Sequence, residues 1–276
     1  EEASAIGASV MAQGGNAFDA MFATELALAV VYPYAGNLGG GGFMVYRLSD
    51  GTTGSLDYRE MAPIASERDM FLNNYGEHDH KLSTIGGMAV GVPGTIKGIF
   101  EAHRTFGSLP VRQLIDPVIE LALKGYVVTP MQSDRLDKYR KLIKETSGQD
   151  VLYTKIYQAG DTVKNPALAR TLMRLRDQGA DAFYSGEMAE HMSKFIQSKG
   201  GIVEKEDFEQ YQVYWREPIR FSYEDLQIIS MGPPSSGGLC LGQIMGMLAQ
   251  YDLKKMGHNS SAYIEYLTEA ERRAYA

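Results

Sequence analysis

Between Ala17 and Val31 the chain sets Phe18, Met21, Phe22, Leu26, Leu28, Ala29 and Val30 at helical spacing around nearly the whole circumference of one segment. A surface helix keeps a polar face, so a helix that is apolar on most sides must have structure packed around it. This predicts a central helix. A second helical pattern over residues 1–13 precedes it, and Gly14-Gly15-Asn16 between them suits a helix stop. Over 276 residues, 44% hydrophobic and 22% charged, such a core is affordable in one large domain or two of ordinary size. The longest apolar stretch contains Glu25 and ends at Pro33, well short of the roughly 20 residues that span a bilayer, so no membrane segment is expected. The net charge of −7 leaves no broad basic surface for nucleic acid. Cys240 is the only cysteine, which excludes an internal disulfide and leaves the redox compartment open.

Downstream, residues 39–42 lead into Phe43-Met44-Val45-Tyr46 and, past Ser49-Asp50-Gly51, into residues 52–58, the pattern of a β-hairpin. Residues 83–93 read as β-prone and interrupted by glycine, while 94–106 and 111–124 regain helical spacing. The charged stretch 131–161 reads as exposed helix with loops, and 166–178 and 186–198 as amphipathic helices. Residues 213–223 and 226–231 predict paired strands, then a proline- and glycine-rich break precedes a helix over 239–250. No interior stretch resembles a linker, so 1–276 reads as a single domain of interleaved α and β elements. Glu1 opens directly into a helical pattern, and a final pattern from Tyr263 to Tyr275 lacks a stop signal. The expectation is a chain without a targeting segment and with a helix cut at its end.

Several residues invite chemistry. A phosphate cradle needs a strand, then glycines, then a helix N-terminus. Here the run Gly39 to Gly42 follows a helix and precedes a strand, leaving either a backbone-dense turn against another segment or a wall beside an active site. Ser235-Ser236 stands where a nucleophile elbow would put its serine, but prolines precede it in place of the required glycine, so a helix N-cap is expected. His78-Asp79-His80 lacks a third ligand at metal spacing and reads as a solvated loop. Cys240, between Leu239 and Leu241, reads as a packed small apolar residue. Neither a metal nor a cofactor is expected. Arg59 stands out: strand alternation would place it on the same face as Asp57, with Glu60 opposite. That pair is either a fork steered to grip a substrate carboxylate or a plain surface ion pair.

The combination of Gly14-Gly15-Asn16-Ala17-Phe18-Asp19-Ala20, Gly39-Gly40-Gly41-Gly42-Phe43 and Asp57-Tyr58-Arg59-Glu60-Met61-Ala62-Pro63 resembles the large chain of the γ-glutamyltranspeptidases. Gly91-Val92-Pro93-Gly94-Thr95, Phe183-Tyr184-Ser185-Gly186, Gly200-Gly201, Asp207 with Tyr211, and Pro233-Pro234-Ser235-Ser236-Gly237-Gly238 are similar to that family in order and spacing, and the resemblance covers essentially the whole chain.

The resemblance implies an α+β N-terminal-nucleophile hydrolase, a four-layer αββα sandwich cut from one precursor into a heterodimer of a large and a small chain. A threonine exposed by the cut, on the small chain, would attack the γ-glutamyl carbonyl with its own α-amine as base. Glu1 as first residue fits a nucleophile lying elsewhere, and in family terms this chain lacks the end of the large chain. The implied donors are glutathione and other γ-glutamyl compounds, and the acceptors water, an amino acid or a peptide. Arg59 matches the family's arginine for the donor α-carboxylate, and Glu60 matches as well, holding the loop that presents Arg59. Cephalosporin or glutaryl acylases, poly-γ-glutamate capsule depolymerases and a non-catalytic scaffold are the alternatives on the same fold. A periplasmic or extracellular place is implied by resemblance alone.

Overall fold

From the N-terminus run α1 (Glu2–Ala12), α2 (Ala17–Val31), β1 (Phe43–Arg47), β2 (Thr53–Asp57) and a short α3 (His80–Thr84). Then come α4 (Thr95–Phe106), α5 (Val111–Lys124), β3 (Tyr126–Val127), α6 (Pro130–Ser147), β4 (Thr162–Val163) and α7 (Pro166–Gln178). The remainder holds α8 (Asp181–Tyr184), α9 (Gly186–Ser198), α10 (Lys205–Gln210), β5 (Tyr214–Arg216), β6 (Ile219–Tyr223), β7 (Leu226–Ser230), α11 (Gly237–Leu248), α12 (Leu253–Met256) and α13 (Ser261–Ala274). This computed structural model describes all of residues 1–276.

The chain divides into two compact units, each made of two separate stretches: Glu1–Gly42 with Tyr58–Val213, and Phe43–Asp57 with Tyr214–Ala276. Two of the three crossings flank the β1–β2 hairpin, and none carries linker composition, which is why the sequence reads as one interleaved unit.

In the first unit α2 is the central helix that its apolar circumference demands. Phe22, Ala23, Leu26 and Ala27 are fully buried, and α1, α4 and α5 pack around it. Phe22 meets Phe100 edge-on at 5.0 Å and Phe18 stacks on Phe106 at 4.5 Å. Removing side chains such as Phe22 and Leu26 from water stabilises by about 1.5–3 kcal/mol each.

The start of α2 is also its strongest polar anchor. Gly14 takes φ +93° to end the preceding turn, and Asn16 and Asp19 form a reciprocal capping box. Asp19 is fully buried and takes further hydrogen bonds from the Ser108 hydroxyl (2.6 Å), the Ser108 N–H (3.0 Å) and the Leu109 N–H (3.3 Å). His103 donates from Nε2 to the Leu109 carbonyl at 2.9 Å and lies 3.4 Å from the Asp19 carboxylate. Thus one buried carboxylate caps α2 and holds the α4–α5 turn.

In the second unit β1 and β2 form the expected antiparallel hairpin, and β5 joins β2 on its other side, giving the order β1-β2-β5. Residues 213–223 are not one strand. Pro218 interrupts the segment, since it has no N–H for a ladder. Tyr214–Arg216 pairs with β2, whereas Ile219–Tyr223 pairs with Leu226–Ser230 as a separate hairpin. That hairpin packs against α11, and α11 against α13.

Residues 83–93 also differ from expectation. They hold the end of α3, a single turn at Gly87–Ala89 and one isolated bridge, Val92 to Met61. A Cβ on Gly87 would overlap the backbone of residues 196–201, so the glycines there serve a close approach and not a strand.

Burial alone would raise the Asp19 carboxyl, but its hydrogen bonds from Ser108, Asn16 and Leu109 outweigh that and hold it below the ordinary carboxylate range. Its contribution to stability is therefore full above about pH 4, the ordinary carboxylate value, and is lost as pH falls through the lower folded value. Asp19→Asn in the full precursor is expected to cost about 1–3 kcal/mol at neutral pH and to weaken the acid dependence of unfolding, as measured by urea denaturation across the acid range.

Candidate active site

Tyr58, Arg59 and Glu60 run through a channel walled by glycines. A Cβ on Gly41 would come 2.6 Å from both the Glu60 nitrogen and the Tyr58 carbonyl, and one on Gly42 would come 2.8 Å from the Tyr58 ring. On the other side, Cβ atoms at Gly94 and Gly98 would overlap the Tyr58 carbonyl and the Tyr58 side chain. None of these four glycines has a positive φ, so it is space and not backbone torsion that requires them.

The backbone of the segment is held at successive points. Tyr58 exchanges hydrogen bonds with Gly42 (3.0 and 3.2 Å), and Met61 with Val92 (3.1 and 2.8 Å). The Gly40 carbonyl accepts from the N–H groups of Gly94 and Thr95 at 2.8 and 3.0 Å. The Tyr211 hydroxyl donates to the Arg59 carbonyl at 2.9 Å, and the Ile64 N–H donates to Asp207 at 2.6 Å. Arg59 and Glu60 thus project exposed side chains from a backbone fixed on both sides. The Glu60 carboxylate lies against Gly41, with Oε2 2.8 Å from where a Cβ would stand.

Tyr58 itself is half-buried. Burial, and then the nearby Glu25 carboxylate, push its hydroxyl up to about 12, so it stays neutral and uncharged. Burial likewise raises the Glu25 carboxyl. Chemically, the arrangement offers a guanidinium on a rigid mount, with a carboxylate next to it in sequence, suited to gripping a carboxylate in a fixed orientation.

The structure changes one part of the sequence argument. Strand β2 stops at Asp57, so alternation has no hold on Arg59. Asp57 is buried and accepts from Arg216 Nε at 2.8 Å. The other candidates lie in ordinary roles. Ser236 occupies the N-cap of α11 without a side-chain cap bond, and it is Ser235 whose hydroxyl accepts from the Gly237 N–H at 3.2 Å. Asp79 caps α3 through the Leu82 N–H, and His78 Nε2 lies 3.0 Å from the Ser83 hydroxyl. Cys240 is buried, with its thiol 3.3 Å from the Ala274 carbonyl.

Residue-by-residue reading missed Gly98 and the work of Tyr211 and Asp207. The first had a usable signal: Gly94 and Gly98, four apart at a helix start, expose bare backbone on one face.

An α+β chain with glycine walls around a mounted arginine has the fold of N-terminal-nucleophile hydrolases. The sequence profile of the family Gamma-glutamyltranspeptidase matches residues 3–276, and the chain belongs to that family. It is 38% identical over 278 residues to the Glutathione hydrolase proenzyme of Escherichia coli, covering 99% of this chain and 48% of that protein. It therefore spans about half the length of the curated relatives it matches. The crystal structure of Helicobacter pylori gamma-glutamyltranspeptidase is 42% identical with a TM-score of 0.96, covering 99% of this chain and 80% of that one. More distant is the Bacillus anthracis transpeptidase CapD, 28% identical with a TM-score of 0.79, covering 99% of this chain and 87% of that one.

Gly98→Ala and Gly94→Ala are expected to displace Tyr58 and to destabilise by at least about 1–3 kcal/mol. The exposed helical glycine Gly246, whose Cβ would meet nothing within 4 Å, should instead accept alanine with a gain of up to about 1 kcal/mol. Thermal unfolding of the three variants in the full precursor checks the contrast.

Proposed function

We propose that this chain is most of the large chain of a γ-glutamyltransferase and glutathione hydrolase, an exported enzyme of the periplasm or cell exterior. It pairs as a heterodimer with a small chain from the same self-cleaved precursor. The observation that carries this reading is Arg59, exposed on a backbone locked by Gly42, Tyr211 and Val92. Likeness to proteins named glutathione hydrolase proenzyme supports the substrate class and the precursor origin. The sheet β1-β2-β5 ends in two edges, which strands of the small chain would complete.

In this reading Arg59 binds the α-carboxylate of the γ-glutamyl donor, and Glu60 keeps the loop that presents it in place. The donor's γ-carbonyl then faces the threonine at the small chain's N-terminus. The threonine oxygen bonds to the carbonyl carbon while its proton passes to the threonine's own α-amine. The bond to the leaving amine breaks, and that amine takes the proton. Water or an amino-acid or peptide amine next attacks the γ-glutamyl-enzyme, releasing glutamate or a new γ-glutamyl compound. This chain's part is recognition: the grip on the α-carboxylate selects γ-glutamyl donors and holds them at the threonine.

Replacing the guanidinium fork with a point charge in Arg59→Lys is expected to lose about 1.5–3 kcal/mol, roughly ten- to more than a hundredfold in kcat/KM. The assay compares γ-glutamyl anilide and glutathione with a glutaryl amide and with poly-γ-glutamate. Near-normal activity of Arg59→Lys and Arg59→Ala on γ-glutamyl donors contradicts the role of Arg59. Preference for the glutaryl amide or the polymer points to an acylase or a depolymerase, and no turnover by a cleaved wild type points to a scaffold. A glutamine-analogue affinity label is expected on the small chain's threonine and on no residue of 1–276.

A further inference from the structure

We propose that Tyr211 is a positioning residue that sets the donor selectivity of Arg59 through a hydrogen bond to its main chain. This rests on the reading of Arg59 given above. The Tyr211 hydroxyl donates to the Arg59 carbonyl at 2.9 Å, across 152 positions of sequence. The contact is built into its surroundings. Tyr211 is 3% exposed, and its ring stacks on Tyr184 at 5.5 Å with the planes 17° apart. Tyr184 is anchored in turn, donating to the Pro93 carbonyl at 2.8 Å and accepting from the Lys97 N–H at 3.1 Å. A Cβ on Gly94 would overlap the Tyr211 hydroxyl, so the bare backbone at that position is what lets the hydroxyl reach residue 59.

The same short element grips the loop twice. Asp207 in α10 accepts from the Ile64 N–H at 2.6 Å through Oδ1, and through Oδ2 it accepts from the Glu204 N–H at 2.7 Å to cap its own helix. Tyr211 closes α10 at its C-cap. Residues 59 and 64 are therefore both tied to α10, and the direction in which the Arg59 side chain leaves the main chain is set by that tie together with the backbone bonds at Tyr58 and Met61. Loss of the hydroxyl frees the Arg59 carbonyl while leaving the ring stack and the Asp207 anchor in place. The consequence falls on recognition of the α-carboxylate and not on the attack at the γ-carbonyl.

The test uses the full self-cleaved precursor carrying Tyr211→Phe, assayed with γ-glutamyl anilide and with 4-aminobutyryl anilide, which lacks the α-carboxylate. The expected result is a KM for the γ-glutamyl donor raised about three- to tenfold with kcat little changed, and unchanged kinetics on the des-carboxy donor. In an Arg59→Ala background the same replacement should have no further effect on the γ-glutamyl KM. Equal losses on both donors, or an undiminished effect in the Arg59→Ala background, would mark Tyr211 as structural only and overturn the proposal. So would unaltered donor discrimination in Tyr211→Phe when Arg59→Lys has lost it. If Arg59→Lys itself keeps discrimination, the reading of Arg59 fails first. Should the Phe precursor fail to cleave, 4-aminophenylalanine at position 211, which keeps a donor in place, carries the test. That variant is expected to mature with wild-type selectivity, and a mature form without it overturns the proposal.

Discussion

The close approach of Tyr58 and Glu60 to the backbones of Gly41, Gly42, Gly94 and Gly98 is the constraint on which the candidate site depends. At each of these positions a single methyl group would stand within 2.8 Å of the segment or overlap it. Packing at this density leaves the segment no alternative path, because protein interiors respond to added volume by strain and not by flow. Glycine inside a helix costs about 1 kcal/mol relative to alanine, and α4 carries Gly98 at its fourth position. The helix gives up that stability in exchange for a fixed neighbour.

A second constraint, equally local, holds the scaffold behind the site. Asp19 satisfies the start of α2 and the α4–α5 turn together, so the central helix and the turn beside it share one polar anchor. Buried carboxylates are stable only when their oxygens are fully occupied. Here five hydrogen bonds from Asn16, Ser108 and Leu109 do so without a formal cation being required. Since α4 also carries Gly98 against Tyr58, the anchor at one end of that helix bears on the placement of the segment at the other.

What was legible in the sequence follows the range of the forces involved. The periodicity of α2 reported its burial because each apolar residue contributes separately, and the Ser49-Asp50-Gly51 turn reported the hairpin because turn geometry is local. The strand expected over 213–223 was split by Pro218, a local signal that the apolar alternation masked. The glycine run could be read as backbone-dense but not as dense against what, since Tyr58 and Glu60, which Gly41 and Gly42 meet, lie beyond the hairpin. Arg59 stood out at the end of a predicted strand and then, together with Glu60, by resemblance, but the strand alternation used to orient it fails because β2 ends two residues earlier. The bond from Tyr211 to residue 59 left no pattern at all: one hydroxyl acting over 152 positions has no period.

These observations separate two demands on an arginine that must recognise an anion. The guanidinium has to reach solvent to meet its ligand, and an exposed arginine retains much of its roughly 2 kcal/mol of rotamer entropy. Fixing the side chain itself by burial would remove that freedom but would also require desolvating the charge, which costs several kcal/mol without a partner. Fixing the main chain avoids the second cost. Backbone bonds at Tyr58, Arg59 and Met61 confine the root of the side chain, while residue 59 itself remains exposed. A ligand that engages both nitrogens then has only the remaining side-chain torsions to order, so less of its interaction energy is consumed in binding. Glycine walls serve this purpose where larger residues could not, because only bare backbone leaves room for the Tyr58 main chain and ring and the Glu60 main chain at these distances.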